Sequence, residues 1–122
     1  MALKIVVAAE EAAVFDGDAR VADIVLVGGL ADGMFGGVGA EARKAELAQR
    51  TDADLREQAV PALAGDYCPP HLRGQRDAVR ALNAARDYSA PALATRAAHD
   101  AARWEWARQV APTLPVERPS RG

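Results

Sequence analysis

Two short, almost continuously apolar runs open the chain, residues 3–9 (LKIVVAA) and 22–27 (ADIVLV). Both are rich in β-branched side chains, the pattern of strands buried in a sheet. Between them lies AAVF, then Asp16-Gly17-Asp18, a good turn signal. Only about ten residues separate the strong runs, too few for a helical crossover between parallel strands. The pattern predicts an antiparallel hairpin or a three-stranded meander.

Residues 28–39 (GGLADGMFGGVG) hold six glycines in twelve positions, which rules out a regular helix and interrupts any strand. The period then changes. Residues 40–49 (AEARKAELAQ) are strong helix formers. Thr51 followed by Asp54 predicts the cap of a second helix running to about Val60, where Pro61 should kink or stop it. Two prolines make residues 65–74 (GDYCPPHLRG) a loop. A helix follows over 76–87 with Ala78, Leu82 and Ala85 on one face. Ser89 is expected to cap the last helix, about 90–110, with Pro91 in its first turn and Pro112 and Pro115 ending it. The order, a small β unit and then three to four helices, predicts an α+β fold. Residues 1–112 read as one such domain, with β strands and the glycine-rich loop in 1–39 and helices in 40–112. Residues 113–122 read as an extended, unstructured tail.

Composition narrows the picture. A chain of 122 residues is one domain by size. Half of it is hydrophobic, but 29 residues are alanine, and Leu, Ile, Val and Phe together number 25. A private core so poor in large side chains has little margin, and association is a usual remedy. Arginine outnumbers lysine 13 to 2, either a trace of GC-rich coding or selection for forked contacts at interfaces. Residues 1–39 carry six acids and two bases, the remainder 13 bases and 11 acids. Neither part is basic enough for a nucleic-acid footprint. The longest apolar run is well short of the ~20 residues of a membrane span, and no signal peptide is visible, so a cytoplasmic setting is expected.

Candidate chemistry is sparse. The strand-glycine-helix order around residues 22–44 is how proteins present backbone N–H groups to phosphate, with Gly36, Gly37, Gly39 and Lys44 as the contacts such a site would use. Neither established phosphate-loop spacing fits. The run ADIVLVGGLADGMFGG resembles the glycine-spaced phosphate loop of universal stress proteins over roughly 16 residues. In that family the loop comes late in the chain after other parallel strands, so nothing further is carried over. Cys68, His71 and Asp66 are the only clustered metal-ligand types, and a structural zinc site needs four ligands. The lone Cys68 leaves no internal disulfide, and no base is placed for a thiol nucleophile. Neither a metal nor a cofactor is expected.

The last helix is the most informative. Trp104 and Trp106 are two positions apart, so their Cβ directions differ by about 200°. One face, with Leu93, Ala97, Ala101 and Trp104, is expected inward. The other, with Ala98, Ala102, Trp106 and Val110, is either buried by the chain's own fold or turned to a partner. Tryptophan beside arginine (Arg103, Arg108) is common hot-spot chemistry. The sequence thus predicts a non-enzymatic assembly subunit docking through Trp104, Trp106, Arg103, Arg108 and Val110 into a homo- or hetero-oligomer. A virion component assembled in the cytoplasm, such as a bacteriophage capsid or head–tail protein, is one setting. The alternative is a small anion- or nucleotide-binding module using residues 28–39. An enzyme comes third, because nothing pairs a nucleophile with a base.

Overall fold

The computed structural model describes residues 2–8, 11–25, 45 and 47–118. They form an α+β fold, a four-stranded mixed sheet covered by helices, in the strand order β3-β2-β1-β4. β1 (Leu3–Val7), β2 (Ala12–Asp16) and β3 (Ala19–Ile24) make the expected antiparallel meander. Gly17 takes the tight β2–β3 turn at φ +61°, where a side chain would be strained. Register pairs Ile5 with Val14, Val7 with Ala12, Val14 with Ala22 and Ala12 with Ile24. All six are buried, so the period of two lines one face of the sheet with apolar groups. A register shift between Val14 and Phe15 leaves Val21 without a partner across β2.

Helix α1 (Asp52–Asp66) lies on that face and packs on all three strands. Its cap is the expected one: the Asp54 N–H donates to Thr51 Oγ1 at 3.1 Å, and the Thr51 N–H donates to Asp54 Oδ2 at 3.2 Å. Of the expected kink or stop at Pro61, the stop does not occur; the helix passes through Pro61 to Asp66. Pro61 and Glu57 are exposed, so water can satisfy the carbonyl that the missing N–H leaves open. Beyond the proline, Ala62, Leu63 and Ala64 are buried, and that burial holds the last turn in place. Of the helix expected at 40–49, residues 45 and 47–49 are described and helical, with Leu47 in the core.

A 3-10 turn at Pro70–Leu72 leads into α2 (Arg73–Ala84), then α3 (Ala90–Val110) follows. α2 begins three residues before the expected start and rests on α3 and on the turn before it, burying no residue of its own. Its packed side is marked by half-buried Val79 and Leu82, whereas Ala78 and Ala85 of the expected face are exposed. α3 has the expected bounds, with the Ala92 N–H donating to the Ser89 hydroxyl at 3.4 Å.

The segment expected to be an unstructured tail is partly built into the sheet. Val116–Glu117 form β4, parallel to β1, and the Ile5 N–H donates to the Pro115 carbonyl at 2.9 Å. Leu114 is buried, and its carbonyl accepts from Arg56 Nε at 2.7 Å. Arg118 then reaches α1, donating to Asp52 Oδ1 at 2.9 Å and to the Arg50 carbonyl at 2.8 Å. Paired backbone and one large apolar anchor outweigh the composition of the segment.

Candidate functional site

α3 meets the core through Ala107, with Ala111 just past its C-terminal end, both fully buried, and its N-terminal part meets α2. Ala92, His99 and Ala107 mark its buried side, at spacings of seven and eight residues. The outcome cuts across the expected faces: Trp104 lies inward as expected, and Trp106 and Val110 are covered by the chain's own fold. Leu93, Ala97 and Ala101 are solvent-exposed, while Trp106 and Val110 lie against the core. Trp106 packs on Tyr67 with ring centroids 5.5 Å apart and a 40° tilt. Trp104 is also half-buried against the core. The two indoles flank Ala107, and each is long enough to lie sideways over the seat that Ala107 occupies. Their 200° separation in Cβ direction therefore does not send one of them away from the core.

The arginines differ in the same way. Arg103 Nη2 donates to the Gly65 carbonyl at 2.8 Å, tying α3 to the end of α1. Arg108 is exposed. Val110 and Trp106 line a shallow cavity of about 230 Å³ with Leu3, Thr113 and Leu114. The hydroxyl in that lining, on Thr113, donates to the Val110 carbonyl at 2.6 Å. Burial, and then the charge of Asp16, raise the pKa of Tyr67, so its phenol is neutral at physiological pH. Of the five residues singled out on α3, four serve packing within the chain.

The remaining sequence candidates do not assemble into a reactive centre. The Cys68 thiol donates to the carbonyl of its neighbour Pro69 at 3.7 Å, and His71 is exposed. No group of three or more His, Cys, Asp or Glu side chains that could hold a metal occurs among the described residues. Gly36, Gly37, Gly39 and Lys44 lie outside the described residues. No described helix is long and apolar enough to cross a membrane.

What sequence reasoning missed lies where α2 and α3 meet. Tyr88, 66% exposed, and Leu93, 53% exposed, sit in the linker and first turn of α3. The Tyr88 ring lies under the Arg96 guanidinium, 4.8 Å from centroid to carbon. Arg96 Nε donates to Asn83 Oδ1 at 3.0 Å, while Nη1 and Nη2 are buried with no hydrogen-bond partner among the described residues. The Ser89 N–H donates to Asp87 Oδ1 at 2.9 Å, which lowers the pKa of that carboxyl and fixes the linker. The exposed side of α2 carries Arg73 and Arg80, with half-buried Arg76 between them, at a spacing that puts all three on one helical face. On the β2–β3 hairpin, Arg20 clamps Glu11 at 2.8 Å and Asp23 at 2.6 Å. Asp18, and Asp16, which accepts from the Ala2 N–H at 3.1 Å, add to the acidic excess of the β2–β3 hairpin. The signal for the basic side was present in the sequence as the i, i+3, i+7 arginine spacing.

Compared with protein-family models, curated proteins and solved structures, the chain matches none.

Proposed function

We propose that the chain is a non-enzymatic assembly subunit that docks through the arm formed by α2 and the first half of α3, rather than through the tryptophan face. The observation that carries this reading is the contrast between that arm and the body. α1 buries Leu55, Ala59, Ala62, Leu63 and Ala64, whereas α2 buries nothing and the start of α3 leaves Leu93 and Tyr88 in solvent. A thin core with an under-covered helical arm is the arrangement that a neighbouring subunit completes.

The first neighbour to consider is another copy. The arginine face of α2 (Arg73, Arg76, Arg80) and the acidic hairpin tip (Asp16, Asp18) are complementary in charge and lie on different elements. Contact between them is heterologous, joining one surface to a different one, and such contacts generate rings or open chains rather than closed twofold dimers. Ring or chain growth suits a virion component such as a capsid or head–tail protein, one setting among multi-subunit complexes.

Light scattering on the purified chain, from micromolar to near-millimolar concentration, tests the reading. It predicts a mass that rises with concentration and falls back toward the monomer in Leu93→Glu. A wild-type mass that stays at one protomer throughout rules out self-assembly through the arm.

A further inference from the structure

Among the described residues, His99 is the only buried polar side chain, 6% exposed. It sits on α3 at the contact with α2. Its Nδ1 lies 3.4 Å from Gln75 Oε1, a long contact for a hydrogen bond. The charged groups facing the imidazole are mostly cations. Arg103 and Asp100 come from α3 itself, and Arg76 from α2. Arg103 is spent on the Gly65 carbonyl, and its Nε is buried with no hydrogen-bond partner among the described residues. Arg76 meets its neighbour Asp77 at 3.3 Å. A proton on His99 adds a third cation to this contact, where Asp77 is engaged by Arg76 and Asp100 is the carboxylate that acts on the imidazole. The element pressed against it, α2, is the helix that buries no residue.

We infer that protonation of His99 releases α2 from α3, so that the arm opens in mildly acidic solution while the sheet and α1 stay folded. Burial, and next Arg103, lower the imidazole pKa in the docked state; Arg76 adds to this and Asp100 opposes it. Undocked, the group returns to its ordinary value near 6.5. The undocked state therefore binds more protons below that pH. Docking is strongest above about pH 6.5 and weakens as the pH falls, by roughly tenfold for each unit until the docked form also protonates. The opened arm uncovers Val79 and Leu82 and separates the arginine face of α2 from Leu93. The inference stands whether or not the arm binds a second copy.

Pulse-labelling hydrogen exchange on the full chain tests it, at about pH 7.5 and about pH 5.5, after correction for the intrinsic exchange rate. Protection of the amides in Arg73–Ala84 is expected to fall, by at most about tenfold, while those in Asp52–Asp66 change little. His99→Gln is expected to remove the pH response. Should that variant fold poorly, Arg76→Gln serves instead: it takes away a like charge, moves the docked imidazole toward its ordinary pKa and shrinks the response. A flat profile in α2 overturns the inference. So does an equal loss in α1, which marks global unfolding, or a response that persists in folded His99→Gln.

Discussion

Replacing Pro61 with alanine is expected to stabilise the protein, and the structure sets the size of the effect. An interior proline costs a helix about 3 kcal/mol relative to alanine. In α1 that cost is softened, because Pro61 and Glu57 are exposed and water reaches the open carbonyl. A restored N–H bond to Glu57 then contributes about 1 kcal/mol, and relief of the ring's clash adds to it. Against this, alanine frees the unfolded chain by about 0.4–1 kcal/mol. The net gain is about 1–2 kcal/mol, a midpoint rise of roughly 3–10 °C for a domain of this size. Thermal and urea unfolding followed by far-UV circular dichroism measures it, with helix content as the control. An unchanged or lower midpoint refutes the reasoning, because it means that the ring is stabilising where it sits rather than being tolerated for the sake of Leu63.

Three further outcomes follow from the packing. Leu114→Ala, at a 3% exposed core position, should cost about 2–4 kcal/mol in urea unfolding and raise amide exchange at Ile5 as β4 loosens; a loss under about 1 kcal/mol contradicts the role given to the C-terminal segment. Arg86, a non-glycine residue at φ +51°, closes α2 with its N–H donating to the Asn83 carbonyl and the Asp87 N–H donating to that of Leu82. Arg86→Gly is expected to gain about 0.5–1 kcal/mol, read as a higher thermal midpoint, and a lower midpoint counts against strain there. Trp106→Ala should cost about 2 kcal/mol by loss of its contact with Tyr67, whereas Leu93→Glu should change monomer stability by less than about 0.5 kcal/mol; calorimetry on both variants separates folding from docking.

The parts of the fold written in local signals were legible. The meander follows from two β-branched runs around Asp16-Gly17-Asp18, and the helix starts from Thr51 and Ser89, because strand period, turn chemistry and caps are fixed by neighbours in sequence. The parts decided by distant contacts were not. Pro61 reads as a stop because the burial of Leu63 beyond it is not encoded nearby. Residues 113–118 read as a tail because Leu114 and Val116 gain their meaning only beside Ile5. The face of α3 was misread for a related reason. In an alanine-rich helix the inward side is set by what it lies against, so Ala107 and His99 are buried while Leu93 is exposed. The docking arm was visible in part, through the arginine spacing on α2, but its exposure depended on how little α2 packs.

The central claim, that α2 of one copy meets the acidic hairpin of the next, is tested most directly by paired charge reversal. Sedimentation velocity at low salt would compare the wild type with Arg80→Glu, Asp18→Lys and an equimolar mixture of the two. A concentration-dependent mass is expected in the wild type, with a shift toward the monomer in each variant alone and partial recovery in the mixture, where the reversed arm of one chain can meet the reversed hairpin of the other. A monomeric wild type, or equal association in all four samples, contradicts the claim.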